Sequence, residues 1–175
     1  EVVEKYLSLI FNDTIFTPEP EPYYYLKFSG PATYNRLKTQ AYIIIASTNR
    51  NPENSGFQLI KQILPKYQLN EIQEDNPMIL GKDIFSKDQL FMILNFENEQ
   101  KTNKLIKDKK DFIRQKYHDQ FLARQRKFIL DGLSNAKLEK IFSLKYDWSI
   151  KIPWGWELIK ERPDSNFIWI GREMP

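Results

Sequence analysis

Residues 97–130 are the part of the sequence that most restricts how this chain can fold. Apolar side chains recur there at intervals of seven residues, as at Ile106 and Ile113, and Tyr117 and Phe121 fill the intervening turns. This spacing is typical of an α-helix with one apolar face. At about 1.5 Å per residue such a helix is roughly 50 Å long, which exceeds the diameter of a small domain. We therefore expect one long helix with a bend or with one projecting end.

The remaining patterns alternate between helix and strand. The chain repeats the order helix, strand, strand three times, with turn residues such as Asp131-Gly132 between elements. The stretch "TPEPEP" predicts an extended, polyproline-like connector. The strand in "AYIIIAST" is expected to be central because it is apolar on both faces. The predicted helices lie at 1–11, 56–64, 97–130 and 136–144, and the predicted strands lie at 23–28, 41–48, 77–85, 90–94, 148–152 and 167–170.

The C-terminal segment "KIPWGWELIKERPDSNFIWIGREMP" holds three of the four tryptophans. Trp148, just before it, begins a period-two pattern that is apolar on one face, and the strand near the end of the chain is apolar on both sides. We expect Trp148 and Trp169 to face each other in one antiparallel core. Trp154 and Trp156 flank a glycine in a bend. Either side chain could therefore be partly exposed and could bind a ligand.

This order of elements predicts an α+β fold in which antiparallel β-hairpins are covered by helices. The simplest arrangement is two ferredoxin-like (split β-α-β) units. The first unit then lacks its opening strand and the second its closing helix and strand, so we expect a fragment boundary at both ends. The prediction is a single α+β domain or fragment over 1–175, with sub-units 1–85 and 86–175 as the alternative.

Composition excludes several kinds of chemistry. The chain has no cysteine, so disulfides, thiolate nucleophiles and cysteine metal sites are ruled out. Its six glycines are scattered singly and form no phosphate-binding loop. No run approaches the roughly 20 apolar residues that span a bilayer. The sequence therefore predicts neither a cofactor nor a metal site.

Few residues are candidates for catalysis. His118, the single histidine, lies in the long helix with no ligand at metal spacing, so a solvated or ion-paired side chain is expected. Glu161 and Glu173, in the tryptophan-rich segment, are the carboxylates best placed for general acid or base work, which needs a shifted pKa in a dry site. The sequence does not show such burial. No catalytic residue is assigned, and the interpretation leans against an enzyme.

The basic residues are concentrated in one segment. Residues 101–127 contain ten Lys or Arg and three acids, a net charge of +7 within a chain of net charge +3. This helix could bind anionic lipid headgroups. Nucleic acid is a less favoured ligand, because no recognition motif accompanies the basic residues. The alternative is a helix face that is simply solvated. The candidate binding surface consists of Lys104, Lys107, Lys110, Arg114, Arg124 and Lys127, with Trp154 and Trp156 as further candidates.

Three stretches of the sequence, "GKDIFSKDQLFMILNF", "FLARQRKFIL" and "WSIKIPWGWELIKERPDSNFIWIGREMP", resemble the domain-of-unknown-function family 4837. The similarity covers roughly residues 38–175 and is clearest after Lys82. It implies a bacterial envelope lipoprotein of a Gram-negative organism, located in the periplasm or at the outer membrane, with this chain as its N-terminal part. The lipobox cysteine of such lipoproteins does not occur in this sequence, and the family supplies no catalytic residues to carry over.

The leading functional hypothesis is a non-enzymatic binding or scaffold module of the bacterial cell envelope with a protein partner there. Two alternatives stay open. One is an anion-binding module that uses the basic helix 101–127 on nucleic acid or on an anionic membrane surface, and the other is an enzyme with a carboxylate-based site. A deep pocket with convergent polar groups would favour the enzyme, whereas an exposed apolar patch or an open strand edge would favour the scaffold.

Overall fold

The computed structural model of the chain describes residues 2–74 and 77–172. By its contacts the chain forms two compact units, residues 1–120 (unit 1) and residues 121–175 (unit 2). The division lies inside the long helix, whereas the sequence predicted a single domain or fragment, with a division between residues 85 and 86 as the alternative. Each unit has its own hydrophobic core.

Unit 1 combines helices with small sheets, and the predicted α+β class with one long helix is confirmed. In chain order its elements are α1 (Val2–Ile10), β1 (Thr14–Thr17), β2 (Glu19–Pro22), α2 (Tyr34–Leu37), β3 (Tyr42–Ser47), α3 (Ser55–Ile63), α4 (Lys66–Glu74), β4 (Met78–Lys82), β5 (Leu90–Asn95) and α5 (Glu99–Leu130). The last part of α5, residues 121–130, belongs to unit 2.

The strands β3, β5 and β4 form a three-stranded sheet with β5 in the middle. β5 is parallel to β3 and antiparallel to β4. The order β3-β5-β4 is that of a split β-α-β unit, but the strand directions are not. In a split unit the two strands joined through the helix are parallel, whereas β3 and β4, which α3 and α4 connect, run in opposite directions. The prediction that β3 is the central strand is wrong. β5 takes that position because it is buried along its whole length, whereas β3 is partly exposed.

Successive side chains of β5 enter two different clusters of the unit 1 core, since strand side chains alternate between faces. Met92 packs in a cluster with Ile10 of α1 and Ile113 of α5. Ile93 packs on the other face with Ile60 of α3. All five side chains are fully buried, and burial of each contributes about 1.5–3 kcal/mol. β5 is therefore the strand against which α1, α3 and α5 are assembled.

The helix α3 begins very close to the end of β3. Asn54 caps it, because its Oδ1 atom accepts a hydrogen bond from the backbone nitrogen of Phe57 at 3.0 Å. A Cβ atom at Gly56 would lie 2.7 Å from the carbonyl oxygen of Ala46, so this close approach depends on glycine. The helix ends before Pro65 as expected. α4, which the sequence patterns did not predict, begins directly after that proline, whose fixed φ suits a first helical turn.

Two predictions near the N-terminus are wrong. The "TPEPEP" stretch is not a connector, because β1 and β2 pair as an antiparallel hairpin. A two-stranded sheet consists of edges only, where proline without its N–H is tolerated. Residues 23–28 form no strand. Tyr24 instead packs edge-on against Phe11, with ring centroids 5.1 Å apart, and Phe11 packs edge-on against Tyr117 of α5 at 5.4 Å.

Unit 2 contains the end of α5, a further helix α6 (Ala136–Tyr146) and two strands, β6 (Glu157–Arg162) and β7 (Phe167–Gly171). The strands form an antiparallel hairpin. The turn between them ends at Asn166, whose φ of 50° is the left-handed conformation that asparagine tolerates. The buried core of the unit consists of Leu138, Phe142 and Ile152, against which Trp156, Ile168 and Ile170 pack.

The prediction that Trp148 and Trp169 face each other is wrong. Residues 148–152 form no strand, because β7 pairs with β6, which is closer in the chain and closes a shorter loop. Trp148 stacks on Phe142, with ring centroids 5.6 Å apart and 24° between the ring planes. Trp169 lies on the side of the hairpin that faces away from the core. The tryptophans therefore do not all lie inside the unit.

Candidate functional site

The β6–β7 hairpin has one face against the core of unit 2 and one face in solvent. The two isoleucines of β7 pack against the core, so Phe167 and Trp169, which alternate with them, point the other way. The register places Lys160 opposite Trp169 and Arg162 opposite Phe167. Together with one further residue of β6 these side chains form a continuous surface. The outer hairpin face is defined as Ile159, Lys160, Arg162, Phe167 and Trp169.

Ile159 reaches this face through a β-bulge. The register between the strands shifts between Leu158 and Lys160, so Ile159 is an additional residue of β6. A Cβ atom at Gly171 would lie 2.6 Å from the Cδ1 atom of Ile159 and 3.6 Å from the Nε1 atom of Trp169. The Ile159 side chain therefore lies across Gly171 and beside the indole of Trp169.

The apolar side chains of the outer hairpin face are about half exposed. The exposed fraction is 50% for Ile159, 45% for Phe167 and 52% for Trp169. Single exposed apolar residues are common on protein surfaces. Three adjacent ones, two of them aromatic, form a patch of the kind that marks an interaction site.

The charged residues of the outer hairpin face are cations. Lys160 and Arg162 are exposed and form no ion pair with a described residue. Glu157, opposite Gly171, lies at the end of this side of the hairpin. Residues 121–175 contain ten basic and seven acidic residues, whereas residues 1–120 contain sixteen of each. The whole net charge of +3 therefore resides in unit 2.

Glu161 joins the inner face of the hairpin to α6. Lys145 donates a hydrogen bond to its Oε2 atom at 2.7 Å, and the Tyr146 hydroxyl donates to its Oε1 atom. These two hydrogen bonds hold the pKa of Glu161 below its ordinary range, and the bond from Lys145 has the larger effect. The contacts with Lys145 and Tyr146 make this carboxylate an ion-pair and hydrogen-bond partner within the fold, and its lowered pKa does not suit a general acid. Glu173, the other candidate for acid or base work, lies outside the described residues.

The candidates Trp154 and Trp156 have different environments. Trp156 packs against the core, and its carbonyl oxygen accepts a hydrogen bond from the Nδ2 atom of Asn135 at 2.9 Å. Trp154 is 69% exposed and borders an open groove of about 420 Å³ at the start of α6. Asn135 also caps α6 through the backbone nitrogen of Leu138 at 3.1 Å. Trp156 is half-buried and borders the same groove, so Trp154 is the more accessible of the two tryptophans.

The six basic candidates are divided between the units. Lys104, Lys107, Lys110 and Arg114 belong to unit 1, and Arg124 and Lys127 belong to unit 2. Lys104 and Lys107 are exposed. Arg114 forms ion pairs with Asp13 at 2.6 Å and with Asp111 at 2.8 Å, so its guanidinium is engaged within unit 1. The number of cations that α5 offers to a ligand is thus smaller than the sequence count suggests.

His118 is half-buried on α5, and its Nδ1 atom lies 3.2 Å from the hydroxyl oxygen of Tyr23. A hydrogen bond to a tyrosine thus takes the place of the solvation or ion pair expected from the sequence. Among the described residues, no group of three or more His, Asp or Glu side chains is arranged to hold a metal ion. None of the helices described here is long and apolar enough to cross a membrane.

Asn95, at the end of β5, is a fully buried polar side chain. Neither its Oδ1 nor its Nδ2 atom forms a hydrogen bond with a described residue. Its neighbour across the sheet, Ser47, donates a hydrogen bond to the backbone carbonyl oxygen of Asn49 at 2.6 Å. Because the Asn95 side chain is closed off from solvent, it does not form an accessible binding site.

None of the residues of the outer hairpin face was predicted from the sequence as a surface residue, since Trp169 was expected in the core. A signal for it exists, because Lys160 and Arg162 are two residues apart and so are Phe167 and Trp169. Such spacing places each pair on one side of a strand. Which side faces solvent depends on the strand partner and on the bulge, and neither is apparent in the residue pattern.

Comparison of the chain with protein-family models, with curated proteins and with solved structures found no match. The resemblance to the domain-of-unknown-function family 4837, and the envelope location that it implies, therefore stay predictions.

Proposed function

We propose that this chain is a non-catalytic binding module and that unit 2 carries its binding surface. The observation that supports this is the balance of buried and exposed apolar side chains in unit 2. Among its described residues, Leu138, Phe142 and Ile152 are buried hydrophobics, whereas thirteen large hydrophobic side chains are exposed. Apolar surface exposed on this scale is typical of a protein that binds a partner.

The proposed setting is the bacterial cell envelope, in the periplasm or at the outer membrane. Its support is the resemblance of the sequence to envelope lipoproteins. Fractionation of cells that express the native gene tests the location. Recovery with the periplasm or the outer membrane is the expected result, and recovery in the cytosol would contradict the location but not the binding role.

The two alternative functions have less support. A carboxylate-based enzyme needs a carboxyl group with a raised pKa or an accessible dry site, whereas the pKa of Glu161 is lowered by its partners. An anion-binding surface on the unit 1 part of α5 would use Lys104, Lys107 and Lys110, since two aspartates engage Arg114. That part of α5 exposes one aromatic side chain, Phe112, with Lys116 over its ring, whereas the outer hairpin face places two aromatic side chains opposite two cations.

Site-specific photocrosslinking tests the proposed function. Benzoylphenylalanine in place of Phe167, on the outer hairpin face, should form adducts with a macromolecule or lipid in the native envelope. The matched control is the same group in place of Tyr67, an exposed aromatic residue of α4 in unit 1, which should form few adducts. Equal crosslinking at the two positions, or none at either, would contradict a binding surface in unit 2.

A further inference from the structure

We propose that the outer hairpin face binds the surface of an anionic lipid bilayer. This inference rests on the proposed binding function and names the partner of the same surface. Its basis is the combination, on one face of a two-stranded sheet, of exposed aromatic, aliphatic and cationic side chains. A bilayer interface offers partners to all three at once.

The aromatic and aliphatic side chains favour a bilayer over single-stranded nucleic acid. Aromatic rings alone would suit either, because Trp169 and Phe167 can stack on bases as well as lie among lipid headgroups. Ile159, which the bulge places beside the indole, cannot stack on a base but can enter an apolar layer. Eight of the thirteen exposed hydrophobic residues of unit 2 are likewise isoleucine or leucine.

The cations favour an anionic surface. Lys160 and Arg162 lie opposite the two aromatic residues, and their long side chains can extend from the apolar patch to lipid phosphates. The charge of the whole unit has the same sign, because residues 121–175 carry the net charge of +3 while residues 1–120 are neutral. An anionic bilayer is therefore complementary to this face in charge as well as in polarity.

Vesicle flotation of the whole chain tests the inference. The chain should float with vesicles of phosphatidylcholine that contain about 30 mol% phosphatidylglycerol at about 50 mM NaCl, and the bound fraction should fall as salt is raised. It should not float with phosphatidylcholine alone. Failure to bind the phosphatidylglycerol vesicles at low salt overturns the inference.

A pair of charge variants locates the binding face. Lys160→Ser with Arg162→Ser should weaken vesicle binding about 25-fold, since each cation near an anionic surface contributes about fivefold. The matched control, Lys137→Ser with Lys140→Ser, removes the same charge from exposed positions of α6 in the same unit. It should weaken binding less than fivefold. Equal losses in the two double variants would overturn the assignment to the outer hairpin face.

A pair of apolar variants gives an independent test. Trp169→Ala should weaken vesicle binding at least about tenfold, whereas Leu144→Ala, which removes an exposed leucine from α6, should leave it nearly unchanged. No difference between these variants overturns the inference. Tighter binding to an oligothymidylate than to the anionic vesicles also overturns it. Crosslinks from position 167 to protein together with no vesicle binding would overturn the inference while the proposed binding function stands.

Discussion

Replacement of Phe142 by alanine should unfold unit 2. Phe142 is fully buried, forms the core of the unit with Leu138 and Ile152, and stacks on Trp148. Loss of a buried phenylalanine side chain, including the cavity left behind, costs about 3–5 kcal/mol. A unit of 55 residues has a core that rarely supplies more than about 3–5 kcal/mol of net stability. The substitution therefore removes most or all of the stability of the unit.

Two further variants calibrate this expectation. Ile152→Val removes one methylene from a fully buried side chain and should cost about 1 kcal/mol. Leu144→Ala, on the same helix as Phe142 but exposed, should change the free energy of unfolding by less than about 0.5 kcal/mol. The loss of stability should be largest for Phe142→Ala, smaller for Ile152→Val and smallest for Leu144→Ala, in the order of the buried volume that each substitution removes.

Urea denaturation followed by tryptophan fluorescence is the suitable measurement. All four tryptophans lie within residues 121–175, and eight of the nine tyrosines lie within residues 1–120. Tryptophan emission therefore reports on unit 2, and far-UV circular dichroism follows the helices of both units. Phe142→Ala should show no cooperative tryptophan transition, while much of the helical signal remains in the absence of urea.

The result that would refute this reasoning is a cooperative tryptophan transition in Phe142→Ala at nearly the urea midpoint of Leu144→Ala. Such a result would mean that the three buried side chains do not determine the stability of unit 2. A loss of emission intensity alone would not count against or for the prediction, because the substitution also removes the ring that stacks on Trp148. The urea midpoint and the cooperativity of the tryptophan transition are the quantities that test the prediction.

Three further predictions concern single contacts. Tyr117→Phe removes a buried 2.9 Å hydrogen bond from α5 to a carbonyl oxygen of β3 and should cost about 1 kcal/mol, measured by urea denaturation followed by circular dichroism. Gly56→Ala should destabilise unit 1, although alanine favours helices, because the new Cβ atom meets the carbonyl oxygen of Ala46; a raised urea midpoint would contradict this. The lowered pKa of Glu161 means that its contribution to stability is complete above the ordinary glutamate pKa of about 4.3 and is lost as the pH falls through the folded-state pKa. Glu161→Gln should therefore flatten the dependence of the tryptophan urea midpoint on pH below about 4.3, and an unchanged pH profile would refute the role of the Lys145 ion pair.

The long helix could be predicted because its signal is local. The seven-residue spacing that includes Ile106 and Ile113 places both side chains on one face, and both are buried. The helix ends before Asp131-Gly132, as turn chemistry indicated. The elements that the sequence predicts well are thus those whose stabilising contacts repeat within a few residues.

Strand pairing could not be predicted, because it depends on residues far apart in the chain. "AYIIIA" and "LFMILN" both have the composition of central strands, and only the order of the sheet shows that the second one is central. Residues 23–28 have the composition of a strand, but Tyr24 packs on Phe11 instead. Tertiary packing overrides β-propensity at such positions.

Only part of the candidate site could be predicted, because the rest depends on contacts between residues far apart in the chain. The local bend around Gly155 predicted that Trp154 or Trp156 would be partly exposed, and Trp154 is exposed. The outward orientation of Trp169 depends on pairing with β6, and the engagement of Arg114 depends on Asp13, which is 101 residues away. Counts of basic residues along a helix do not reveal which of them are already engaged elsewhere in the fold.

The boundary between the two units falls inside α5, a helix of 32 residues. Each backbone N–H group in a helix bonds to the carbonyl four residues earlier, so a break between Gln120 and Phe121 would disrupt several such bonds at once. Proteases cleave exposed loop tips far more readily than helices. Limited digestion is therefore a poor way to separate the two halves, and a recombinant version of either half should retain all of α5.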